Sequence, residues 1–86
     1  MKHAGAEMLD ALELLLNEVR RGAGLIERKR GIFYRKSKAF LHFHEDAAGM
    51  FADVKLSGDG AYTRLRVSTV VERKAFLAAV RKALAT

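Results

Sequence analysis

The middle of the chain carries a hydrophobic alternation that stays in step across three predicted strands. Turn-forming residues interrupt residues 39–67 twice, at Asp46-Ala47-Ala48-Gly49 and at Ser57-Gly58-Asp59-Gly60. Pairing the three strands as an antiparallel meander gathers most aliphatic side chains on one face. This predicted core face holds Ala39, Leu41, Phe43, Met50, Ala52, Val54, Leu56, Thr63, Leu65 and Val67. Because a slip of one residue would move every side chain to the other face, agreement over three strands predicts this register.

The opposite face of the same sheet has an unusual composition. The solvated side of an antiparallel sheet normally reads polar, but here aromatic, histidine and arginine side chains alternate with the core residues. We expect this face to carry the function of the protein. The candidate binding or interface residues are Phe33, Phe40, His42, His44, Phe51, Asp53, Tyr62, Arg64 and Arg66.

A helix is predicted on each side of this strand region. Apolar residues recur at helical spacing from about Ala6 to Arg21, and Gly22 supplies a stop. The second helix begins after Thr69 and runs to about Ala85. Thr69-Val70-Val71-Glu72 matches a capping box, in which the threonine hydroxyl and the glutamate carboxylate bind exposed backbone donors.

The segment between the first helix and the meander is predicted to supply one further strand. Residues 27–30 are too charged for a buried strand, so we expect an edge strand near Gly31 to Arg35, with its start there or earlier. A turn through Lys36-Ser37 would pair Tyr34 with Ala39 and Ile32 with Leu41, and would place Phe33 beside Phe40. The prediction is a single α+β domain over residues 1–86, with two layers in the order αββββα. It has a four-stranded antiparallel meander and both helices on one face of the sheet.

Composition narrows the class of protein. The chain has 86 residues, half of them apolar, and no cysteine, which excludes disulfides and thiolate ligands. No signal-type segment or membrane-spanning apolar run occurs, so a cytoplasmic protein with no membrane partner is expected. The net charge of +6, with a basic stretch over residues 28–38, favours an anionic partner such as nucleic acid.

Two histidines and one aspartate are candidate metal ligands. In the predicted register His42 faces Asp53 across a hairpin, and His44 lies two residues further along the same strand. Two imidazoles and a carboxylate form an accepted ligand set for a divalent metal. Arg64 faces Asp53 from the next strand, so an ion pair of Asp53 with Arg64 and His42 is the competing and stronger interpretation. No cofactor is predicted.

An enzyme is the less favoured class. A histidine oriented by an aspartate is half of many hydrolytic sites, but no nucleophile accompanies it. Ser37 and Ser57 lie in predicted turns, and no glycine-rich phosphate loop is present.

The sequence therefore predicts a small binding or interaction module that acts through the open sheet face. Exposed aromatic and arginine residues are typical of interfaces, so the expected partner is a second copy of the chain in a homodimer. The alternative is binding of single-stranded nucleic acid or another anion, because aromatics beside basic residues resemble a stacking platform. A metal-dependent activity at His42, His44 and Asp53 is the third possibility.

The segment Ile32-Phe33-Tyr34-Arg35-Lys36-Ser37-Lys38-Ala39-Phe40-Leu41-His42-Phe43-His44-Glu45-Asp46 resembles part of a group of short bacterial hypothetical proteins. The likeness continues through residues 49–54 and extends to residues 62–67, so it covers about half to two-thirds of the chain. It implies a small bacterial cytoplasmic protein. No function is known for the group, so the resemblance implies no activity, ligand or site.

Overall fold

The computed structural model describes residues 2–85, so residues 1 and 86 of the predicted domain lie outside the described part. The chain forms, in order, β1 (Lys2–His3), α1 (Ala6–Ala11), α2 (Glu13–Arg20), β2 (Leu25–Lys29), β3 (Ile32–Arg35), β4 (Lys38–Asp46), β5 (Gly49–Val54), β6 (Thr63–Arg66) and α3 (Val70–Leu84). The strands build one antiparallel sheet beside the helices. The fold is therefore α+β, as predicted.

The sheet is larger than the four-stranded meander predicted from the sequence. Its strand order is β2-β3-β4-β5-β6, and the short β1 pairs with β4. The additional strand β2 includes residues 27–29, which were judged too charged for a buried strand. Charged side chains of the N-terminal helices bind residues at the β2–β3 hairpin. Arg20 of α2 donates to Glu27, and Arg30 donates to Asp10 of α1. These tertiary ion pairs let a strongly charged segment lie at the edge of the sheet.

The first predicted helix is divided at Leu12. The backbone N–H of this fully buried residue is shared between the carbonyl oxygens of Met8 and Leu9, an arrangement that is common where helices end. The second predicted helix is confirmed over Val70–Leu84. Its capping box is formed as expected, with the Thr69 hydroxyl accepting from the Glu72 backbone N–H.

The central meander has the predicted register. Strand β4 pairs His42 with Asp53 of β5, and β5 pairs Asp53 with Arg64 of β6. Aliphatic side chains of the predicted core face join helix residues in one buried cluster. The fully buried members from these strands and the segment after β6 are Leu41, Ala52, Val54 and Val67.

A β-bulge between β3 and β4 corrects two predicted positions. Tyr34 pairs with Ala39 as expected, but Phe33, not Ile32, pairs with Leu41, so Phe40 is an extra residue on β4. Phe33 is therefore on the same side as Leu41 and is only 1% exposed. Phe40 is 3% exposed and also belongs to the core cluster. The prediction that Phe33 and Phe40 lie on the open face was wrong, because the extra residue places both side chains on the core side of the sheet.

None of the helices described within residues 2–85 is long and apolar enough to cross a membrane.

Candidate metal site on the sheet

The three central strands bring His42, His44 and Asp53 together. His42 and His44 are two residues apart on β4 and therefore lie on the same side, and β5 places Asp53 directly opposite His42. Atom Oδ2 of Asp53 lies 3.0 Å from Nε2 of His44 and 3.4 Å from Nε2 of His42. One potential ligand atom of each residue lies within 4.8 Å of the others. The sequence predicted this cluster, and the structure confirms that its members are neighbours.

Arg64 holds the carboxylate of Asp53 in place. Its Nε and Nη2 donate to Oδ1 and Oδ2 at 2.7 and 2.8 Å, which is a bidentate arrangement. Hydrogen bonding by Arg64 lowers the pKa of Asp53 below its ordinary range, against the opposing effect of burial. Asp53 is 6% exposed and is the only buried charged residue within residues 3–85. It is therefore a fixed, ionised group beside two imidazoles.

The two imidazoles differ in how well their nitrogens are bound. Burial is the main cause that lowers the pKa of His42, and the nearby His44 acts in the same direction, which favours a neutral ring. In His44 both Nδ1 and Nε2 are buried without a hydrogen-bond partner among the described residues. The 3.0 Å approach of Nε2 to Asp53 is close enough for an ion pair, but its direction does not make a hydrogen bond. Buried polar atoms normally have a hydrogen-bond partner, so the two ring nitrogens of His44 require an explanation.

Aromatic rings surround this cluster on the same side of the sheet. The rings of His42 and His44 are 4.7 Å apart, and Tyr62 meets His42 edge-on with its ring centre at 4.8 Å. His3 of β1 lies over His44 with ring centres 4.9 Å apart. All three histidines of the chain are thus in one place.

His3 was not recognised as a site residue from the sequence. It lies in a strand of two residues, which is too short to produce a detectable alternation. The one available signal was compositional. The chain has three histidines, and two of them are spaced H-x-H on a predicted strand, which left His3 as a possible third member of the cluster.

The remaining predicted site residues lie around the cluster or away from it. Phe51 pairs with His44 and is partly buried, while Tyr62 is 41% exposed. Arg66 donates to the carbonyl oxygen of Ala48 and to Glu72 and does not contact Asp53. With Phe33 and Phe40 in the core, only Phe51 and Tyr62 remain of the four aromatics of the predicted stacking platform.

Part of the predicted basic stretch is neutralised within the chain. Arg30 binds Asp10 and Glu13 of the N-terminal helices, with nitrogen–oxygen distances of 2.7 and 2.8 Å. Arg28 lies over the ring of Tyr34 at 4.8 Å. The charge of Arg30 therefore serves a contact between the N-terminal helices and the edge of the sheet.

The separations in the cluster suit a small divalent ion. Two ligand atoms that each lie about 2.0–2.1 Å from a tetrahedral ion are about 3.3 Å apart. The two histidine–aspartate distances of 3.0 and 3.4 Å are close to that value, so modest rotations of the rings would complete a coordination geometry. The cluster offers nitrogen and oxygen ligands and no sulfur, which suits zinc and its neighbours among the divalent transition metals.

Comparisons of this chain with protein family models, with curated proteins and with solved structures give no match.

Proposed function

We propose that this protein is a small binding module that holds one divalent transition-metal ion through His42, His44 and Asp53. The observation that carries the proposal is that both ring nitrogens of His44 are buried without a hydrogen bond among the described residues, while Nε2 lies 3.0 Å from a fixed carboxylate oxygen. An unsatisfied buried polar group costs about 1–3 kcal/mol. A metal ion bound between Nε2 and the carboxylate would satisfy that nitrogen.

The ion pair with Arg64 supports this role, although the sequence favoured it as an alternative. An ionised carboxylate offers about four acceptor positions, so two hydrogen bonds from Arg64 leave room for a metal on Oδ2. Ligating carboxylates are usually held by hydrogen bonds of their own. Arg64 is thus a positioning residue that keeps Asp53 ionised and oriented.

The metal ion must reach an open sheet face, and we propose that helices α1 and α3 lie over the opposite one. The ring of Phe76 in α3 lies 6.0 Å from that of Phe43, whose side chain alternates with His42 and His44. Leu9 of α1 and Phe43 also meet beside Gly31. A Cβ atom placed on Gly31 would lie 2.7 Å from a side-chain carbon of Leu9 and 3.6 Å from a ring carbon of Phe43. Helices α1 and α3 therefore each have a buried residue near Phe43, on the side away from the imidazoles.

Titration of the untagged, metal-free protein with Zn²⁺ tests the proposal. We expect one ion per chain, and we expect Asp53→Asn to weaken binding about 10- to 100-fold because the amide carries no charge. Tyr62→Phe is the matched control, since it keeps the ring beside His42 and removes only the hydroxyl. Binding that is absent in the wild type, or equal in the wild type and Asp53→Asn, contradicts the proposal.

We propose, as a second role, that the same face joins two copies of the chain. Ile26 is 58% exposed and Tyr62 is 41% exposed, and these side chains lie toward opposite edges of the sheet. A contact across the whole face would bury both, which is the arrangement expected for a twofold dimer. This role does not exclude a metal ion at the centre of the face.

Light scattering tests the dimer. The wild type is expected to have twice the mass of the chain at about 100 µM, and Ile26→Lys is expected to shift it toward the monomer because a charge would be buried at the contact. A monomeric wild type contradicts this role and leaves the metal proposal intact.

A further inference from the structure

His3 lies beside the cluster of His42, His44 and Asp53 because of the N-terminal strand β1, which is not part of the central meander. The meander forms the cluster of His42, His44 and Asp53 without it, while β1 brings His3 alongside β4 by pairing it directly with His44. Since β5 pairs with β4 at the same residues, β1 must use the other edge of β4, beyond the point where β3 ends. Directly paired residues point to the same face of a sheet. His3 is thereby delivered to the cluster by the backbone of β1.

The geometry of the three imidazoles is compatible with a shared ligand. The ring centre of His3 lies 4.9 Å from that of His44 and 6.0 Å from that of His42. His3 is exposed, so its side chain can change rotamer without disturbing the core. The cluster of His42, His44 and Asp53 supplies three ligands, whereas zinc in proteins usually takes four.

Among the described residues, a short backbone pairing and two flanking hydrogen bonds attach β1 to the sheet. Beyond its two-residue pairing with β4, the Ala4 N–H donates to the carbonyl oxygen of Phe43 at 3.2 Å. The Gly5 N–H donates to a carboxylate oxygen of Glu45, also at 3.2 Å. Short strands at a chain end open readily unless further interactions hold them.

We infer that His3 is a third imidazole ligand of the ion, so that metal binding fastens β1 onto β4. The inference rests on the proposed metal site. Because the ion would bind the attached state of β1 more tightly than the detached state, binding must stabilise the attachment, and the attachment must raise affinity by the same factor. The N-terminal strand would thus respond to metal while the rest of the sheet stays unchanged.

The experiment compares His3→Ala with the wild type in two measurements, using Zn²⁺ as the probe and untagged protein. The first is Zn²⁺ affinity by competition with a chelating indicator, for which His3→Ala is expected to bind one ion at least about tenfold more weakly. The second is hydrogen exchange of the Ala4 and Gly5 amides, which Zn²⁺ is expected to slow in the wild type and to leave unchanged in His3→Ala. Glu7→Gln, an exposed change close to β1, is the control and should behave as the wild type.

Each outcome decides a different part of the account. Equal affinity of His3→Ala and the wild type, within about twofold, overturns the role of His3 and leaves the site of His42, His44 and Asp53 standing. Weaker binding with no Zn²⁺-dependent slowing of exchange overturns the fastening of β1. Failure of the wild type to bind Zn²⁺ overturns the proposed function and this inference together.

Discussion

Replacing His44 by leucine is expected to weaken Zn²⁺ binding by more than about 100-fold and, at the same time, to stabilise the metal-free protein by about 1 kcal/mol. The first effect follows from loss of a ligand, since even the outer partners of metal ligands are worth about 10- to 100-fold. The second follows because both ring nitrogens of His44 are buried and neither is hydrogen-bonded, whereas leucine has no polar atom to satisfy. Residues kept for function at a cost in stability commonly show such opposite effects.

Calorimetric titration and urea unfolding of the same samples measure both quantities. His42→Leu is the informative comparison, because His42 is more exposed than His44 and its Nε2 is not an orphaned buried atom. It should lose metal affinity without a comparable gain in stability. If His44→Leu destabilises the metal-free protein by more than about 1 kcal/mol, the histidine has a structural role in the fold and the metal interpretation loses its main support.

Replacing Phe33 by alanine is expected to lower the free energy of unfolding by about 3–5 kcal/mol, which is a large share of the stability of a domain this size. Its side chain is 1% exposed because the bulge turns it into the core opposite Leu41. Ile32→Ala is the matched control, since Ile32 is the neighbour that an unbulged register would bury. It is expected to cost about 1 kcal/mol or less, because Ile32 is only partly buried.

Urea unfolding of the two variants distinguishes the registers directly. The bulged register predicts that Phe33→Ala is much more destabilising than Ile32→Ala. The reverse order would restore the alternation read from the sequence and return Phe33 to the open face, where it would lie beside the candidate site.

The central meander could be predicted because two kinds of signal agreed there. The turn at residues 46–49 is short enough to fix which residues of β4 and β5 face each other, and the alternation of each strand then fixes the face. The neighbourhood of His42, Asp53 and Arg64 followed from that register. It required no knowledge of the helices.

The features that were missed depend on contacts distant in the sequence. Strand β2 was obscured by charges whose partners lie in the N-terminal helices, as in the pairing of Glu27 with Arg20. The bulge was missed because the sequence was read with strict alternation along β4, whereas the consecutive residues Phe40 and Leu41 are both buried there. Strand β1 is two residues long and exists through its pairing with β4, so no local pattern indicated that His3 would reach the site.

The most direct test of the metal site is a nitrogen-15 NMR spectrum of the histidine rings, recorded as Zn²⁺ is added to metal-free protein. Coordination uses the lone pair of one ring nitrogen, so the signals of the bound nitrogens of His42 and His44 should shift together and reach their endpoint at one ion per chain. Ring signals of His42 and His44 that stay unmoved when Zn²⁺ is in excess would contradict the account.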